Sequence, residues 1–215
     1  MSKISLKHSG GNVVSLNSPT SAPTSSDVAF KLPNADGSAG QFMKTDGSGN
    51  LAFATVAAGV DGITMADQWR VTSQFNSYNT VINSNWERQD SYSPGLIGSG
   101  MSESSGIFTF PSTGIYRIDF QCHAYRDFGI PIRYVGITIE VTTNNSNYNL
   151  VSNSYGSISN DDNAFAAMYC TTLFDVTDVS THKVRFQVYS EHTVTWEGDT
   201  SNNRTSVIFT RLGDT

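Results

Sequence analysis

The sequence predicts an all-β chain: an antiparallel jelly-roll sandwich as head, behind an extended, Gly/Ser-rich β shaft at the N-terminus. Three observations predict it. Apolar and polar residues alternate with a period of two along several long runs, as in half-buried strands. Clusters of Asn, Asp, Gly and Ser separate those runs, and no helical period of any length intervenes. All three Trp and all nine Tyr lie after residue 65. Before it the aromatics are Phe30, Phe42 and Phe53. A chain that stocks its large side chains in one portion has its core there, which places the head at residues 66–215. A domain of about 150 residues buries roughly 70% of the surface its unfolded chain exposes, enough for an independent core.

Residues 1–35 are rich in Ser, Thr and Asn and hold Pro19, Pro23 and Pro33. Such a composition cannot bury enough apolar surface to fold alone, so this part reads as an attachment segment that docks on a partner. Residues 36–65 read as shaft and joint. Asp36-Gly37-Ser38 recurs ten residues later as Asp46-Gly47-Ser48. The β-prone runs 41–45 and 51–56 flank the second copy and predict a hairpin. An isolated hairpin is marginal in water. Phe42, Met43, Leu51 and Phe53 therefore need neighbours, and three chains wound about a common axis supply them. Residues 57–67 form a small-residue joint.

The head begins with Trp69-Arg70-Val71-Thr72-Ser73-Gln74-Phe75. The strand candidates after it are 106–110, 114–125, 132–143, 148–155, 164–176, 182–192 and 204–212. Turn clusters at 143–147, 160–163 and 198–203 separate the later ones. An eight-stranded double-sheet jelly roll fits this count. Its clearest stretch is 106–120. There a short strand meets a proline-glycine corner at Pro111 and Gly114. A long alternating strand follows, with Tyr116, Ile118, Phe120, Cys122 and Ala124 on one face and Arg117, Asp119, Gln121 and His123 on the other.

The spacing G-x-F-x-x-P-x-x-G-x-Y-x-x-x-F over Gly106–Phe120 resembles the complement-q-type globular head of the tumour-necrosis-factor-like jelly-roll superfamily. The resemblance spans 66–215. Residues 135–141 followed by Asn144-Asn145 are similar to that family's next strand and turn. Val184, Phe186 and Val188 match its penultimate strand, and 206–212 its closing strand. The family's usual Gly-Asp before the penultimate strand is replaced by Val179–Lys183. No Gly stands at Thr210, and no collagen repeat precedes the head. The resemblance implies a trimeric binding module and carries over no ligand contacts. The run from Leu32 to Leu51 also resembles the shaft segments of phage fibre proteins.

Composition narrows the partners. The net charge is −6, the pI is near 5.0, and no Lys/Arg cluster occurs, so nucleic acid is not expected. The longest apolar run, 164–170, is far short of the roughly 20 residues a bilayer needs, so no membrane insertion is expected. The first nine residues lack an apolar signal region, so folding in a cytoplasm is expected. Cys122 and Cys170 can pair, but two small buried thiols are the simpler reading.

Little catalytic chemistry is legible. Asp119 and His123 share a strand face with no nucleophile fixed near them. The histidines show no zinc-like spacing, and no phosphate loop or Gly-x-Ser-x-Gly elbow occurs. No catalysis and no cofactor are expected. Asp161 and Asp162 offer oxygen ligands to calcium, though a solvated turn is the simpler and better explanation. Rings near the predicted loops are Tyr125, Phe128, Tyr134, Tyr148, Tyr155 and Trp196. Of these, Tyr148, Tyr155 and Trp196 are the candidates for a recognition surface, because flat rings with a polar edge suit saccharide or protein contacts. The expectation that follows is a homotrimeric phage virion protein, a tail fibre or spike exposed on the particle. Residues 1–35 meet other virion proteins, and the head binds host surface polysaccharide or protein. A purely structural capsid decoration or neck fibre is the alternative. A polysaccharide-cleaving spike would need long repeats and paired carboxylates that the chain lacks.

Overall fold

The computed structural model describes residues 3–17, 20–21, 30–55, 62–92, 95–126, 131–161 and 163–215. All regular structure among them is β. The chain divides into two compact units, Met1–Asp61 and Gly62–Thr215.

In the first unit, β1 (Lys3–Lys7) and β2 (Val13–Asn17) form an antiparallel hairpin, with Lys7 opposite Val13. Gly11, at φ 94°, closes its turn, and its N–H donates to the His8 carbonyl at 2.9 Å. Composition marks this segment as unable to fold alone and predicts no hairpin in it. The short alternation Ile4/Leu6 and the β-branched pair at 13–14 are strand-forming, but Ile4, Leu6 and Leu16 stand well exposed. A second hairpin joins β3 (Gln41–Thr45) to β4 (Leu51–Thr55), where the sequence predicts one. Its turn is built by Asp46. The carboxylate accepts from the Ser48 N–H at 2.8 Å, the Asn50 N–H at 3.1 Å and the Asn50 amide. The Asn50 contact leads in holding Asp46 below the usual carboxylate range. Phe42, Met43 and Phe53 remain exposed on this hairpin.

The second unit runs β5 (Ala66–Val71), β6 (Phe75–Val81), β7 (Trp86–Arg88), β8 (Leu96–Ile97), β9 (Ser102–Ser104), β10 (Ile107–Thr109), β11 (Gly114–Arg126), β12 (Val135–Thr142), β13 (Asn149–Gly156), β14 (Ala164–Val176), β15 (Lys183–Trp196) and β16 (Ser206–Gly213). One layer has the order β14-β11-β16-β5-β7, with β8 beside β5. The other has β13-β12-β15, with β6 and β10 along the far side of β15 and β9 on β10. The layers join at one corner, where Ala124 and Tyr125 pair with Trp196 and Thr195. Strands after β11 pass back and forth between layers, as a jelly roll requires. The sequence underestimates the strand count. The segments β7, β8 and β9 are two or three residues long, too short to show a period.

Between the layers lies the core. Tyr116, Ile118, Phe120, Cys122 and Ala124 are fully buried, as their alternation predicts, and so are Val184, Phe186 and Val188. The corner motif now has a physical account. Tyr116 packs its ring on Phe110 at 4.7 Å and donates its hydroxyl to the Ser112 carbonyl at 2.9 Å, pinning the turn into β11. Gly114 sits at φ 142°, and a Cβ there would lie 2.5 Å from the Gly213 carbonyl oxygen. Charge is also buried. Asp67, on β5, accepts from Arg88 Nε at 2.8 Å, Trp69 Nε1 at 2.9 Å and the Met101 N–H at 2.6 Å. Three donors offset its desolvation.

Cys122 and Cys170 are buried and unpaired. Burial pushes both thiols from an ordinary 9.0 to about 12. At pH 8 that shift lowers the thiolate fraction about a thousandfold. Iodoacetamide should therefore label the native chain far more slowly than the urea-unfolded chain, read by mass spectrometry. Equal rates would place the thiols at the surface. The stability these thiols contribute is complete below pH 9.0 and is lost as pH rises towards about 12, since the unfolded chain releases their protons first.

Candidate binding site

The outward face of the layer containing β12 is built as three cross-strand rows. Opposite Gly136 of β12 stand Tyr155 of β13 and Tyr189 of β15. Opposite Thr138 stand Asn153 and Gln187. Opposite Glu140 stand Leu150 and Arg185. Because Ile137 and Ile139 face the core, Gly136, Thr138 and Glu140 face outward.

Gly136 leaves room for the rings beside it. A Cβ there would lie 2.7 Å from the Tyr189 ring and 3.2 Å from that of Tyr155. The Tyr189 ring thus lies across the central strand and meets Tyr155 edge-on, at 5.1 Å and 87°. Tyr134 closes the group, 6.3 Å from Tyr155 and 6.1 Å from Tyr189. Tyr155 is 59% exposed, so the cluster presents a ring to solvent.

Ion pairs bound the face at both ends. Arg185 Nε donates to Glu140 at 2.7 Å, and its guanidinium lies 4.0 Å from the Tyr148 ring centre. Burial pushes the Tyr148 hydroxyl up, against the opposing charge of Arg185. At the other end, Arg133 reaches Glu191 at 2.6 Å. The hydrogen bond from the Arg133 side chain leads in holding Glu191 at about 2, against an ordinary 4.5.

Two of the three predicted recognition residues belong to this face, and one does not. Tyr155 stands at the centre of the aromatic group, and Tyr148 flanks Arg185. Trp196 requires correction. It is 0% exposed, and its indole N–H donates to the Ser77 carbonyl at 3.0 Å. The polar run Glu191-His192-Thr193 suggests a strand end there, but it is a bulge. Ser190–Thr193 lie opposite Tyr78 alone, and β15 continues into the core as far as Trp196. Tyr125 stacks on Phe165 at 4.9 Å on the other layer, and Phe128 lies outside the described residues. Tyr189 and Gln187 fall within the predicted strand 182–192, and the sequence does not mark them as recognition residues. A glycine inside a strong β run was the available signal, since it marks close approach of neighbours.

The calcium candidate resolves in part. Asp161 accepts from the Ser159 hydroxyl, its carbonyl receives Arg126, and Asp162 lies outside the described residues. Among the described residues no group of three His, Cys, Asp or Glu side chains is placed to hold a metal ion. No described helix is long and apolar enough to cross a membrane.

The outward face of the other layer has a different character. Along β14, Phe165, Tyr169 and Leu173 are 62%, 51% and 63% exposed, four residues apart on one side. Ile208 and Leu212 of β16 add to them. At its centre Arg117 and Asp119 pair with each other: Arg117 Nε donates to Asp119 at 3.0 Å, and the Tyr169 hydroxyl donates to the same carboxylate.

No family profile matches the sequence, and no curated protein sequence matches it. Solved structures do resemble it in fold. A crystal structure of murine APRIL at pH 5.0 superposes with a TM-score of 0.51 at 13% identity, covering 69% of this chain and 98% of that one. Eiger TNF from S. frugiperda superposes with a TM-score of 0.51 at 11% identity, covering 72% of this chain and 96% of that one. At this identity the likeness concerns architecture alone: the second unit has the tumour-necrosis-factor-type jelly-roll fold.

Proposed function

We propose that the chain is a non-catalytic, homotrimeric adhesion protein of a phage virion, a fibre or spike whose head binds the host surface. The observation that carries the trimer is the apolar row of Phe165, Tyr169 and Leu173 on an outward sheet face. A soluble chain rarely leaves large side chains in such a row unless another surface covers them. The same faces of two further copies, meeting it about a threefold axis, do so, with the Arg117–Asp119 pair already neutralised. The two N-terminal hairpins support the same reading, since each leaves apolar side chains exposed and neither has a core of its own. The virion assignment rests on the shaft-like run from Leu32 to Leu51. Three heads per fibre turn weak contacts into avidity without chemistry.

Light scattering on the purified chain should give three times the chain mass of 23.3 kDa. The double variant Phe165→Glu with Leu173→Glu should lower that mass towards one chain with its β circular dichroism intact. A wild-type monomer would end the trimer reading. Immunogold electron microscopy of the particle then separates a tail fibre from a capsid or neck decoration.

A further inference from the structure

We propose that the outward face of β13, β12 and β15 is a saccharide-binding surface for a neutral oligosaccharide, centred on the corner between Tyr155 and Tyr189. The proposal deepens the adhesion reading above and rests on it for its biological meaning. Four observations carry it.

The first is the aromatic corner. Tyr155 stands exposed at 87° to Tyr189, which lies along the sheet over Gly136. Two perpendicular rings offer apolar area to the C–H face of a pyranose. The second is the amide row beside it. Gln187 Nε2 donates to Asn79 Oδ1 at 2.5 Å, which leaves Gln187 Oε1 and Asn79 Nδ2 unengaged among the described residues. Asn153 stands exposed across β12 from Gln187. Amides that both donate and accept match the hydroxyls of a sugar.

The third is an unmet demand under that row. Thr138 is 4% exposed, and its Oγ1 has no hydrogen-bond partner among the described residues; Tyr189 Oη is in the same position. Buried hydroxyls are normally paired, and an unpaired one calls for an explanation. A polar ligand on the outward side supplies it once the side chains above Thr138 rearrange. The fourth is charge. Glu140 is paired with Arg185 and Glu191 with Arg133, and the Lys183 ammonium farther along β15 donates to the Val179 carbonyl at 2.7 Å, so among the described residues no unpaired cation stands beside the aromatic corner. A neutral sugar suits it better than an acidic polysaccharide. A protein partner would be expected to claim a larger patch, about 800 Å² on each side.

The test uses the full-length chain and three neutral probes: maltotriose, cellotriose and mannotriose. Saturation-transfer NMR at about 10 mM sugar suits the millimolar affinity of a single shallow site. At least one probe should receive saturation. Tyr155→Ala should weaken that binding about tenfold while leaving molar mass and circular dichroism unchanged. Thr138→Val should raise the melting temperature and also weaken sugar binding, because it removes a hydroxyl that only the ligand satisfies. A Thr138→Val variant that gains stability and keeps full sugar binding would overturn the role of that hydroxyl. No saturation of any probe, or undiminished binding by Tyr155→Ala, overturns the site. A trimeric, particle-bound protein that ignores all three sugars sinks the site and leaves the fibre reading. A sugar-binding protein absent from virions sinks the fibre reading and supports the site.

Discussion

Phe108→Ala should cost about 3–5 kcal/mol of folding stability, the largest single loss expected in this chain. Phe108 is fully buried on the three-residue strand β10. Its ring meets Trp86 at 5.2 Å, Phe209 at 5.2 Å, Trp69 at 5.5 Å and Phe186 at 5.5 Å. Those rings come from both layers, so Phe108 is the piece that locks them together. Truncation removes its transfer energy and leaves a cavity walled by four rigid aromatics, which close over a gap poorly. Typical stability is only about 5–15 kcal/mol, so a large share disappears. Urea unfolding followed by Trp fluorescence should show the midpoint falling with little change in slope. Phe108→Leu should cost less, because it refills most of the volume. A loss below about 1 kcal/mol for the alanine variant would contradict this account of the core.

Gly106→Ala should cost about 3 kcal/mol by a different route, through the backbone. Ser105 and Gly106 form a two-residue turn between β9 and β10, with φ of 53° and 80°. Positive φ at both positions is the signature of the hairpin turns that match strand twist. The Gly106 N–H donates to Glu103 Oε1 at 2.6 Å, which secures the turn. A Cβ at Gly106 would lie 2.3 Å from the Ile82 carbonyl oxygen and 2.7 Å from Asn83 Cα. Backbone cannot swing away as a side chain can, so β10 would have to move and carry Phe108 with it. Ser105→Ala, which keeps all the room, should cost under about 1 kcal/mol. Equal losses for the two variants in thermal melts would refute the steric argument.

Parts of the fold are legible in the residues themselves. The alternation from Tyr116 to Ala124 assigns each side chain to the core or to the outside, because strand geometry sends neighbours to opposite faces. The turn at Asp46 is legible because Asp, Gly, Ser and Asn carry their own local hydrogen bonds. The hairpin 3–17 was less visible, since its strands are five residues each and sit within a segment rich in Ser, Thr and Asn. Trp196 misled because the polar run before it resembles the end of a strand. Only the pairing of β15 with β6 shows that run to be a bulge within a longer strand.

The sequence by itself determined that this chain is a β sandwich and which side of its long alternating strands lines the core. These follow from local rules, the period of a strand and the chemistry of turns, and need no knowledge of distant neighbours. The tertiary structure alone decided which outward residues meet. Tyr155, Gly136 and Tyr189 are separated by 19 and 53 residues in the chain (155 less 136, 189 less 136) yet lie in one row. Phe165, Tyr169 and Leu173 emerge as an apolar face only when β14 takes its place at the edge of its layer. Alternation fixes the face on which a side chain stands, but its partner on a strand distant in the chain is chosen only when the whole sandwich closes.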